Sequence, residues 1–171
     1  PEIVIPILLE YTTKSSESEN SNDREGALKC LHIVFRISPM EKLTNVIPTA
    51  LELLMEFLDD SEARVRYESV CTLTTIIKRL NDVQSLQLFI PQLLKLLSDT
   101  EPTVKVSFKA IKLISQFPDF EDFSELYQAL TESLSSISSS LIQSAVECFT
   151  LTPNSKISAD DALTSFHLLL N

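Results

Sequence analysis

A single glycine, Gly26, serves all 171 residues. Average usage near 7% would supply about a dozen. Tight hairpins, β-bulges, phosphate-cradling loops and nucleophile elbows all draw on residues that tolerate positive φ, and glycine supplies them most cheaply. One glycine cannot build such features in number, so all-β folds and nucleotide-loop enzymes are excluded. With 44% hydrophobic and 22% charged residues the chain is nevertheless that of a folded protein. It is long enough to bury a sizeable core.

The apolar spacing is helical nearly throughout. In 43–58, Leu43, Val46, Ile47, Ala50, Leu51, Leu54 and Leu58 recur at intervals of three and four, which predicts one helix. The pattern persists from Val65 through Val70, Leu73, Ile76, Ile77 and Leu80 to a turn at Asn81-Asp82. Segments 84–97 and 102–117 predict a second helical pair, with Pro102 in a first turn. Residues 12–22 (TTKSSESENSN) read as a mobile, serine-rich loop, and 158–170 as a further helix capped by Ser158.

Prolines set a register on these helices. Pro6, Pro48 and Pro91 each follow an isoleucine early in an apolar run (IPILLE, IPTALELL, IPQLLKLL), 42 and 43 residues apart. Each run leads to a polar, acidic turn, at 15–23, 59–62 and 98–101, and then to a helix with a basic residue near its start, Arg24, Arg66 or Lys105. A two-helix unit cannot bury its apolar faces alone, so such units stack into one continuous core.

At these residues the chain resembles the HEAT repeat family, with armadillo repeats as near relatives. Pro48, Asp60 and Val65-Arg66 fit the family pattern in one unit, and Pro91, Asp99 and Val104-Lys105 in the next. The resemblance implies an all-α superhelix, a solenoid of about four hairpins plus a terminal helix. The expected repeats are 1–38, 43–80 and 83–117. Beyond Pro118 the resemblance fades, and a fourth repeat over 119–151 with a half repeat over 157–171 is read from helical spacing alone, with no family proline to mark them. A start at Pro1 inside an apolar run reads as a piece of a longer chain. The resemblance also implies that Arg24, Arg66 and Lys105 reach turn acids such as Asp60 and Asp99, forming a ladder between repeats.

Candidate chemistry is sparse. His32 and His167 lie in apolar helical stretches, and Cys30, Cys71 and Cys148 read as buried thiols of a reducing compartment. No metal-ligand spacing, catalytic set or cofactor motif is present, so no enzyme activity and no cofactor is expected. A formal charge of −10 makes nucleic acid a poor partner, and no apolar run is long enough for membrane insertion. The expected setting is cytoplasmic or nuclear.

The turn acids Glu56, Asp59, Asp60, Glu62, Asp99 and Glu101 are the most informative polar feature. In a parallel stack such turns emerge along one edge, which could bind basic peptides or tails. Alternatively they are solvated turns and helix N-termini that need no partner. Lys105, Lys109 and Lys112 form a cationic stripe that also reads as a solvated face. Ser16, with Glu19 three residues on, fits an acid-directed phosphorylation pattern. The expected role is a non-catalytic scaffold or adaptor that binds other proteins. The alternative is a carrier for basic cargo, resembling nuclear transport receptors or chaperones. The partner and the oligomeric state are left open.

Overall fold

The computed structural model describes residues 4–80, 82–117, 119–120 and positions 126, 128, 130 and 131. Most of the expected fourth hairpin over 119–151, with Cys148, and the whole half repeat 157–171, with His167, lie outside the described residues. The chain divides into two compact units, Pro1–Leu80 and Asn81–Asn171. Among the described residues all regular structure is helical, no peptide is cis and no residue has positive φ.

The first unit contains α1 (Val4–Ser16), α2 (Ser21–Ile37), α3 (Met40–Leu43), α4 (Ile47–Phe57) and α5 (Ala63–Ile77). Helix α2 packs most extensively on α5 and next on α1, while α4 lies against α5 and α1. Leu28, Leu31, Phe35, Leu43, Leu54, Phe57, Leu58, Leu73 and Ile76 are all at most 2% exposed and form this unit's core. Each such side chain contributes roughly 1.5–3 kcal/mol of burial.

The linking turns are local chemistry. Helix α2 starts at Asn20, whose side chain accepts from the Asn22 N–H at 3.1 Å, and stops at Ser38, ahead of Pro39. The serine-rich stretch is far shorter as a loop than its composition predicts. Thr12, Thr13, Ser15 and Ser16 are in α1 and donate to the carbonyls of Leu8, Leu9, Tyr11 and Thr13 at 2.8–2.9 Å. These hydroxyls satisfy themselves against their own helix, so only residues 17–20 remain as the link.

The second unit contains α6 (Val83–Gln87), α7 (Ile90–Lys95), a 3-10 turn (Leu96–Ser98) and α8 (Glu101–Ser115). Asp82 caps α6, accepting the Ser85 N–H at 3.4 Å and the Ser85 hydroxyl at 2.6 Å. Helix α8 rests on α7, the 3-10 turn and α6. Leu86, Leu93, Phe108, Ile111, Ile114 and Phe120 are buried there.

Both long apolar runs are broken where sequence periodicity predicts one helix. The run 43–58 is interrupted at 44–46, and 84–97 at Leu88-Phe89. Pro48 and Pro91 then sit in the first turns of α4 and α7. A proline has no N–H to give to the preceding turn and restricts the residue before it, so the register prolines start helices rather than lying inside them.

Candidate functional site

The best-defined polar constellation joins the first hairpin to the second. Arg24 is near the start of α2, and its guanidinium meets the Asp60 carboxylate edge to edge. Nε donates to Oδ2 at 2.7 Å and Nη2 to Oδ1 at 3.0 Å. The remaining Nη1 donates to the Ser18 carbonyl at 2.6 Å. Both side chains are about nine-tenths buried, at 9% and 10% exposure. A forked, buried pair of this kind fixes geometry as well as energy.

Asp60 is held from several directions. Burial alone would push its carboxyl up. The Arg24 hydrogen bond, the Glu62 N–H on Oδ1 at 2.8 Å and the charges of Arg24 and Arg66 outweigh that effect and hold it below the ordinary carboxylate range. Arg66 donates through Nη1 to the carbonyls of Asp60 and Ser61 at 2.7 and 2.9 Å. Arg24 and Arg66 thus each grip a carbonyl six residues earlier, one in each hairpin.

The other expected rungs and acids divide clearly. In the first unit Glu56, Asp59 and Glu62 are exposed, whereas Asp60 is committed to Arg24. In the second unit Asp99 is half-buried and accepts the Thr100 N–H at 2.5 Å, while Glu101 and Lys105 are exposed. Lys109 is exposed and Lys112 half-buried. Ser16 is half-buried, its hydroxyl turned back onto α1.

A polar strip follows the line where α2 meets α5. Glu25 pairs with Lys29 at 2.5 Å and with Arg64 at 3.6 Å. Burial pushes the Glu68 carboxyl up, with Lys29 opposing and Glu25 reinforcing the shift. His32 Nε2 lies 3.0 Å from the Thr75 hydroxyl, and burial, helped by Arg36, pushes the imidazole down towards its neutral form. Arg79 donates to the carbonyls of Phe35 and Ser38 and so closes the C-terminal end of α2. Sequence reasoning passed over Arg79, whose only signal is a basic residue just beyond a helix end.

The thiols differ from expectation. Neither Cys30 nor Cys71 is part of a disulfide, but Cys30 is exposed and Cys71 half-buried. Cys30 occupies the outward face of α2 with Ile33 and Ile37, which are 49% and 69% exposed. The apolar context of Cys30 therefore belongs to a surface stripe as well as to the core. Among the described residues no cluster of His, Cys, Asp and Glu could hold a metal ion, and no helix is long and apolar enough to cross a membrane.

Comparison with known proteins adds a family and a fold. A family model described as Vacuolar 14 Fab1-binding region matches residues 22–116, from the start of α2 to just beyond α8. Two designed armadillo repeat proteins superpose at TM-scores of 0.66 and 0.63, with 21% and 22% identity. Each match covers 96% of this chain and 70% of the designed chain, and the second was solved in complex with the peptide (KR)4. No curated protein sequence matches. The fold is an all-α, HEAT/armadillo-type repeat fold.

Proposed function

The chain belongs to the Vacuolar 14 Fab1-binding region family, and on that premise we propose that it is a non-catalytic repeat scaffold whose protein partner is Fab1. The family match over 22–116 carries this reading, because it spans the whole set of described helices from α2 to α8. The helices of each unit supply the contact surface, and the partner is held by contact at many points rather than by chemistry. Support comes from the Arg24–Asp60 clasp, which ties the first hairpin of the first unit to the second. A cytoplasmic or nuclear setting is part of the proposal.

A second reading, a carrier for basic cargo, is supported by the exposed acids Glu56, Asp59, Glu62 and Glu101. The designed armadillo repeat protein solved with (KR)4 has the same fold and carries a peptide of basic residues. The two readings separate in one experiment: recovery of partners from cell extract, read by mass spectrometry, with the intact chain and with those four acids changed to Ser. Fab1 recovered by both proteins supports the scaffold reading. Basic proteins lost from the variant, with Fab1 absent from both, support the carrier and overturn the scaffold.

A further inference from the structure

The link between α1 and α2 has the same hydrogen-bond plan as the turn between α4 and α5. Forty-two residues beyond Ser18, Asn20 and Arg24 stand Asp60, Glu62 and Arg66, the same interval that separates Pro6 from Pro48. The Ser18 carbonyl accepts from Arg24 Nη1 at 2.6 Å, and the Asp60 carbonyl from Arg66 Nη1 at 2.7 Å. The Ser18 hydroxyl oxygen accepts the Asn20 N–H at 3.2 Å, and Asp60 Oδ1 the Glu62 N–H at 2.8 Å. Ser18 Oγ therefore stands at the register position that an ionised carboxylate oxygen fills one repeat later. An arginine occupies the adjacent corner in both hairpins.

We propose that Ser18 is a phosphorylation site, and that its phosphate supplies the negative charge that Asp60 supplies in the next repeat. The neighbouring hydroxyls are worse placed. Ser15 is buried, and both Ser15 and Ser16 donate to carbonyls within α1. Ser18 lies in the short link 17–20, between the exposed Glu17 and Glu19, and its hydroxyl donates to Asp23 Oδ2 at 3.1 Å at the surface. Glu17, Glu19 and Asp23 around Ser18 suit a kinase that reads acids on both sides of the serine, a different pattern from the acid three residues on that marks Ser16.

In the reaction, Ser18 Oγ attacks the terminal phosphorus of ATP bound by the kinase. The hydroxyl proton passes to the kinase's base, the Oγ–P bond forms, the bridging P–O bond breaks, and ADP leaves. The product carries roughly −1.5 to −2 charge. Asp23 loses its donor and is repelled. Arg24 has a second Nη1 proton beyond the one given to the Ser18 carbonyl, so it can take a phosphate oxygen while keeping its fork on Asp60.

The folded chain, incubated with ATP and an acid-directed serine/threonine kinase, tests this by phosphopeptide mapping of wild type, S16A and S18A. The expected result is phosphate on Ser18, unchanged incorporation in S16A, and at least a tenfold loss in S18A. Phosphate on Ser16 with Ser18 unmodified, or no incorporation into the folded chain, overturns the site. A phosphorus NMR titration then reads the contact with Arg24. The second ionisation of the phosphate falls at lower pH in the folded chain than in urea; equal values overturn the Asp60-like role.

Discussion

Arg24 and Asp60, in successive hairpins of the first unit, share two parallel hydrogen bonds of 2.7 and 3.0 Å with both side chains about nine-tenths buried. Removing one partner leaves the other buried and uncompensated, which typically costs 3–5 kcal/mol. D60N keeps the shape and a partial hydrogen bond, so its expected cost is about 3 kcal/mol in urea unfolding. R24K, which loses the fork but keeps the charge, costs less. A change below about 0.5 kcal/mol in D60N would show that the clasp is decorative.

The same pair sets an acid dependence. The Asp60 carboxyl is held below its ordinary range when folded. A depressed folded value means that its stabilisation is complete above the unfolded value near 4 and is lost as pH falls through the folded one. Wild type therefore loses stability from about pH 4 downwards, and D60N loses less over the same interval. Glu10, Glu25 and Asp82 are also held down, so the slope in D60N is reduced and not abolished. Parallel profiles for the two proteins would assign the acid limb to those other groups.

Gly26 lies inside α2 with no positive φ, and a Cβ added there meets no atom within 4 Å. Neither conformation nor close approach requires glycine at this position. G26A is expected to stabilise the chain by about 0.5–1 kcal/mol, seen as a higher melting temperature. A lower melting temperature would mean that the small residue serves a packing role.

How much of this is legible in the sequence differs by level. Helical type follows from apolar spacing, because residues such as Leu51, Leu54 and Leu58 can share a buried face only at helical pitch. The breaks at 44–46 and Leu88-Phe89 are carried by Pro48 and Pro91, whose effect on the preceding backbone outweighs the continuous apolar pattern. The serine-rich link misleads, because composition does not reveal that Thr12, Thr13 and Ser15 bond back to their own helix. Charge alone groups Asp60 with Glu56, Asp59 and Glu62. Only three-dimensional packing separates the acid that holds Arg24 from those that face solvent. The identity of a partner has no local signature in these residues and is a proposal that starts from the family match.

Binding to Fab1 tests the central claim most directly. In an isothermal titration of purified Fab1 into the folded chain, with helicity checked by circular dichroism, a saturable one-site isotherm is expected. The absence of heat or complex formation from a chain shown to be helical would contradict the scaffold account.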